Sequence, residues 1–201
     1  MARKFLLFFC FFIASCSLSA QNFDLRLFER QVKIKKKEYP SLAIQLQEDH
    51  RDVKNSLYRY LQQYGFVQNK LGYYIYHPNN KKKDGERISS IKVTVSLERK
   101  KKEGITIIHA IPSAQGLTKK ETKTFLLDYK VKFYGNQVQQ KIRELENKQV
   151  SISQKQNALR LKLDRKPDDK VLKSQRKELL TQFDTLEKKI DEWKHKLLKL
   201  Q

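Results

Sequence analysis

The chain has 201 residues, with 43 Lys and Arg against 22 Asp and Glu for a formal net charge of +21, 39% hydrophobic and 10% aromatic residues, and two cysteines. That length allows one or two modest domains, and the apolar share is enough for a core, which argues against wholesale disorder and against a multi-span membrane protein. The sequence signals no reaction; it speaks to destination, construction and surface.

Residues 1–20 read as an export signal. Arg3 and Lys4 give a positive start, Phe5 to Ala14 gives ten apolar residues, and Ser15 to Ala20 gives a small-residue end. A ten-residue helix rises about 15 Å, half of a hydrocarbon core of about 30 Å, so a permanent anchor is the weaker reading. Two cleavage readings compete. Cleavage after Ala20 leaves Gln21 as the new N-terminus, and the polar stretch from Ser15 to Ala20 favours it. Ile13-Ala14-Ser15-Cys16 resembles a bacterial lipobox, which would acylate Cys16 and tether the product to a membrane. The expected location is therefore periplasmic or secreted, with a lipid-anchored envelope protein as the alternative.

Cys10 and Cys16 are the only cysteines, so residues 21–201 have no disulfide, thiolate metal site or catalytic thiol. The mature charge is 41 basic against 22 acidic residues, or +19. It divides into 19 against 10 for residues 21–117 and 22 against 12 for residues 118–201, so it is spread along the chain.

The two halves differ in architecture, and the expected domains are an α+β unit over 21–117 and long helices over 118–201. All six glycines and three of the four prolines precede residue 136. A run around Val32 and Ile34 reads as an edge strand. Ser41 to Gln47 alternates as a strand does, with Pro40 where it begins. Asp49 can cap a helix carrying Val53, Leu57, Tyr60, Leu61 and Tyr64 on one face and stopping at Gly65. Strands are expected at Leu71–Tyr76, Ile88–Leu97 and Ile105–Ile111. The fold class is thus α+β, a small antiparallel β-α-β-β-β sheet covered by helix. Thr118 and Glu121 form a capping box for the next helix, whose Phe125, Leu126, Tyr129 and Phe133 would pack on the sheet.

From Val138 the pattern becomes a seam in alternating steps of four and three: Val138, Ile142, Leu145, Gln149, Ile152, Gln156, Leu159 and Leu163. After Pro167 it continues through Leu172, Arg176, Leu179, Phe183, Leu186, Ile190, Trp193, Leu197 and Leu200. Two helices of about 70 Å and 50 Å follow, from about Thr118 to Asp164 and from Pro167 to Leu200, with a break near 165–168. Proline fits the first turn of a new helix, which favours an antiparallel coiled-coil hairpin over one kinked rod. The rod would have to bury its seam against other chains.

Lys141, Lys148, Lys155 and Lys162 recur every seven residues, each one place before a seam position. The residues facing that stripe across the hairpin include only one acid, Glu187, so its charge is largely unanswered within the chain. It reads either as a solvated face or as a contact for an acidic partner or polyanion. Lys35–Lys37, Lys81–Lys83 and Arg99–Lys102 are separate basic runs that read as solvated loops and hairpin tips. Tyr58-Arg59-Tyr60 and Tyr73-Tyr74-Ile75-Tyr76 could stack bases, but export and the need for Tyr60 and Tyr64 on a buried helix face disfavour nucleic acid.

His50, His77, His109 and His195 stand alone, without HExxH, paired metal spacing, GxSxG or a phosphate loop, so no catalytic, cofactor or metal site is expected and the chain reads as a non-enzyme. A signal ending in Ala20-Gln21, a small α+β unit and a lysine-rich coiled coil resemble, in layout, small exported proteins of Bacteroidota; that resemblance implies no activity. Size, basicity and helical arms are also similar to the periplasmic chaperone Skp, although there the arms interrupt the sheet-forming segments and here they follow them. Three roles are expected: a coiled-coil interaction or scaffold protein of the envelope; a binding module for lipopolysaccharide or acidic lipid; and a Skp-like holdase. In the first, Leu179, Phe183, Leu186, Ile190, Trp193 and Leu197 form the contact seam to a protein partner or a second copy.

Overall fold

The computed structural model describes residues 25–78, 92–113 and 116–200. The fold is α+β: a six-stranded antiparallel sheet followed by a pair of long helices that pack against each other. In chain order the elements are β1 (Phe28–Ile34), β2 (Lys37–Leu46), α1 (His50–Tyr64), β3 (Gly65–Lys70), β4 (Tyr73–Pro78), β5 (Val93–Lys100), β6 (Ile105–Ile111), α2 (Lys119–Arg165) and α3 (Lys170–Leu198). Across the sheet the order is β1-β2-β6-β5-β4-β3, so α1 carries the chain from beside one edge to the other.

The expected edge strand is β1. It turns into β2 through Lys35 and Lys36, both at positive φ (49° and 69°), the backbone a two-residue type I′ hairpin requires. Pro40 lies within β2 rather than at its start. It pairs with Gln31 in the part of β2 that extends past β6, where a missing N–H interrupts no second ladder.

Asp49 caps α1, accepting from the Arg51 amide at 2.8 Å, and the helix buries Val53, Leu57 and Leu61. Tyr64 is exposed rather than on the buried face. Gly65 does end the helix, but β3 starts at that residue and is a strand the periodicity did not indicate. A Cβ at Gly65 would overlap the His77 carbonyl oxygen across the β3–β4 pair, so close backbone approach requires glycine there. Leu71 belongs to the following turn, where Gly72 supplies φ 84° and the leucine is fully solvated. Residues 88–91 of the expected third strand lie outside the described residues, as does Lys81–Lys83. Arg99 and Lys100 end β5, and Lys101–Glu103 form a short 3-10 turn before Gly104.

One sheet face carries the core. Leu42, Ile44, Leu46, Tyr74, Tyr76, Val93, Val95, Ile108 and Ala110 share it by register and pack under α1 and the first turns of α2. Thr118 caps α2 in a capping box with Glu121, and Phe125, Leu126, Tyr129 and Phe133 are buried on the sheet. The same hydrophobic cluster continues along α2 through Val138, Ile142 and Leu145 to Ile190, Trp193 and Leu200 of the returning α3.

The hairpin forms, but its break differs in detail from the expectation. Pro167 lies in the connection, outside the first turn of α3. Asp169 is the N-cap, accepting from the amides of Val171 (2.9 Å) and Leu172 (3.1 Å), because a side-chain acceptor satisfies donors that proline leaves untouched.

Candidate functional site

Seam periodicity translates directly into burial. Every seam residue except Arg176 is buried or half-buried. The burial is uneven: Val138, Ile142, Leu145, Ile190 and Trp193 are buried near the sheet, whereas no side chain between Leu145 and Ile190 is. Leu179, Phe183 and Leu186 in that distal part, and Leu197 nearer the sheet, are half-covered. Val150, Leu161, Val171 and Leu180 are 45–65% exposed beside the distal seam. Two helices can cover only one side of each seam residue, so a two-stranded arm leaves the rest of each side chain in water. Gln156, a seam position, has its Nε2 buried without a hydrogen-bond partner.

The lysine stripe is resolved into unequal parts. Lys141 is half-buried and pairs with Glu144 one turn along α2, at 3.2 Å. Lys148 and Lys155 come together on the rim of a groove of about 470 Å³ between α2 and α3, with Thr181 and Thr185 on the facing helix and Ile152 and Leu186 among its lining residues. Lys162 is exposed and does not line that groove. Among the described residues Lys148, Lys155 and Lys162 form no ion pair. Cys16 lies outside the described residues.

Two arrangements in the head escaped the sequence reading. The first is a cleft of about 730 Å³ between α1 and α2, lined by Asp52, Asn55, Arg59, Tyr60, Lys132 and Asn136 among others. Its aromatic lining is Tyr60, Tyr129 and Phe133. Tyr60 lies 5.1 Å from Tyr129 and, behind the lining, 6.0 Å from Phe125 between ring centroids, and the Lys132 ammonium sits 4.3 Å from the Tyr64 ring. Burial pushes the phenols of Tyr60 and Tyr129 well above their ordinary value, and Tyr129 Oη donates to the Val53 carbonyl at 3.3 Å. These phenols are packing groups with a polar tip.

The second is a hydrogen-bonded chain on the sheet face opposite the helices, buried at Ser41 and His109 and exposed at Glu98. Ser41 Oγ lies 3.1 Å from His109 Nδ1, and His109 Nε2 lies 3.2 Å from Glu98 Oε2. The composition is that of a nucleophile, base and acid. Ser41, however, is 3% exposed and its hydroxyl donates to the Arg30 carbonyl at 2.8 Å, which gives the trio a strand-tying role. Only strand pairing reveals it, since Ser41 and His109 are 68 residues apart. Among the described residues no group of three or more His, Cys, Asp or Glu converges as a metal site would, and no helix is long and apolar enough to cross a membrane.

No family profile, curated protein or solved structure matches the chain. The geometry of the arm is therefore the basis for a functional reading.

Proposed function

We propose that this is an exported envelope protein in which the α+β head carries a coiled-coil arm, and that the arm acts by binding protein, as an interaction or scaffold element. The observation that carries the reading is the incomplete burial of the distal seam. From Gln149 to Leu186 the arm keeps Ile152, Leu159, Leu179, Phe183 and Leu186 half-covered, and flanks them with exposed Val150 and Leu180. Burying about 25 cal/mol per Å² of such apolar surface favours association whenever a partner helix is available.

The test places a photo-crosslinking residue at Leu180 on the arm and, separately, at Gln62 on α1, in residues 21–201, which hold every described element. Crosslinks to protein concentrated at position 180 and persisting at high salt support the reading. Strictly monomeric sedimentation over a wide concentration range, together with no crosslink at 180 in envelope extracts, would sink it. Mass spectrometry of the mature N-terminus tests export: Gln21 or acylated Cys16 supports it, intact Met1 opposes it.

A second reading, binding of anionic envelope material, is favoured by the two unpaired lysines on the groove rim. Polyanion binding collapses between low and moderate salt through counterion release and screening, whereas seam-driven association persists.

A further inference from the structure

The two edges of the seam are not equivalent. On one edge, at positions just after the seam residues Leu145 and Trp193, Glu146 answers Lys194 at 3.9 Å. On the other, at positions just before the seam, Lys148 and Lys155 line the same groove as Gln182 and Thr185. Between Glu146 and Asp164, α2 carries Lys148, Lys155, Arg160 and Lys162 and no acid at all. Hairpins normally answer a charge row at such positions with opposite charge on the facing helix. Here the facing helix offers the neutral Thr181, Gln182 and Thr185, and the groove between the helices has Ile152 and Leu186 in its lining.

We propose that this groove receives an acidic amphipathic helix from a partner protein, which lays its apolar stripe on Ile152 and Leu186 and sets acidic residues at seven-residue spacing against Lys148 and Lys155. This rests on the reading of the arm as a protein-binding element and specifies the partner's chemistry. The two lysines are two turns apart, about 10.5 Å along the axis at 1.5 Å per residue, which is the repeat of a helix and not the convergence that one phosphate needs. Ser151, Thr181 and Thr185 are short enough to let a third backbone approach. A third helix also covers the exposed side of the distal seam.

A second copy of this chain is the wrong occupant. Residues 118–201 carry 22 basic against 12 acidic residues. Beside its own seam α3 does carry Glu178, Asp184, Glu187, Asp191 and Glu192, but Lys177, Lys189, Lys194 and Lys196 flank the same seam, so a second copy would bring lysines as well as acids to Lys148 and Lys155. Like charge across a desolvated groove opposes such pairing. An anionic surface is also a poorer fit, since Lys141 is held by Glu144 and Lys162 lies off the groove, leaving two charges on an apolar-lined trough.

The probe is a four-heptad helical peptide with leucine at its core positions and glutamate flanking them, compared with a lysine-flanked twin, each fluorescent and titrated against residues 21–201. The glutamate peptide is expected to bind more tightly than its twin. Lys148→Glu with Lys155→Glu is expected to weaken it about tenfold or more, as two attractions become two repulsions, and to invert the preference in favour of the lysine twin. That gain of binding also shows the variant is folded. Residues 21–201 lack cysteine, so Thr185→Cys supplies a single thiol that should crosslink a cysteine-bearing glutamate peptide, whereas Lys177→Cys should not. Equal binding to wild type and the double reversal overturns the proposal. So does binding of phosphatidylglycerol vesicles that the reversal abolishes while the peptide fails to bind. If Leu186→Asp abolishes peptide binding but the reversal does not, the arm still binds protein and only the acidic-partner assignment fails; if neither matters, the parent reading fails with it.

Discussion

His109 Nε2 lies 3.2 Å from Glu98 Oε2, and the pair joins β6 to β5 on the sheet face that the helices do not cover. The ring is 1% exposed. Lys35, at the β1–β2 hairpin tip, reaches within 5.7 Å of the Tyr73 ring on β4, so that hairpin helps close the same face. Burial lowers the pKa of His109 and outweighs the hydrogen bond and charge of Glu98, which raise it; Arg30 lowers it further. The unfolded chain, near 6.5, therefore takes up the proton more readily than the folded one. The contribution of His109 to stability is complete above about pH 6.5 and is lost as pH falls below that value toward the lower folded pKa. Denaturant midpoints measured at pH 8, 6 and 5 should fall less steeply for His109→Gln than for wild type. His50, also lowered by burial and by Arg99, leaves a residual slope of the same sign.

Gly65→Ala should cost about 1–3 kcal/mol, the range for forcing an extra methyl into a packed site, because the new carbon meets the His77 carbonyl. The backbone at Gly65 is extended (φ 176°), so the cost is steric crowding between strands and not left-handed strain. A denaturation midpoint no lower than wild type would refute the close-approach explanation.

Truncation should separate head from arm. Leu126→Ala removes a fully buried side chain between α2 and the sheet and should cost about 3 kcal/mol. Leu179→Ala, half-covered in the distal seam, should cost about 1 kcal/mol in the isolated protein. Comparable losses for both, measured by urea denaturation, would mean that the distal seam is more completely covered than the structure shows.

At the hairpin tip, Asp169→Ala should cost about 1 kcal/mol of local stability, since it orphans the Val171 and Leu172 amides. Pro167→Ala should stay within about 0.5 kcal/mol, being an exposed connection residue outside the helix. Amide exchange in the first turn of α3 checks both, and the opposite ranking would return the cap to the proline.

What the sequence determined by itself is what is decided within a few residues along the chain. Asp49 and the Thr118–Glu121 box fix two helix starts, and the four-three spacing fixes the buried edge of α2 and α3, because both depend on local backbone geometry and on the period of one helix. The antiparallel return followed from Arg165 to Asp169, where a proline and two acids interrupt the pattern. Tertiary structure decided the rest. Strand β3, with Gln68 and Asn69 in it, has little intrinsic strand preference and exists because β4 pairs with it. The Ser41–His109–Glu98 chain and the cleft between α1 and α2 require strands and helices far apart in sequence to meet. The lysine stripe shows both limits: its seven-residue period was legible, and Glu144 three residues on accounts for Lys141, but only the groove that the fold forms with Gln182 and Thr185 separates Lys148 and Lys155 from Lys162.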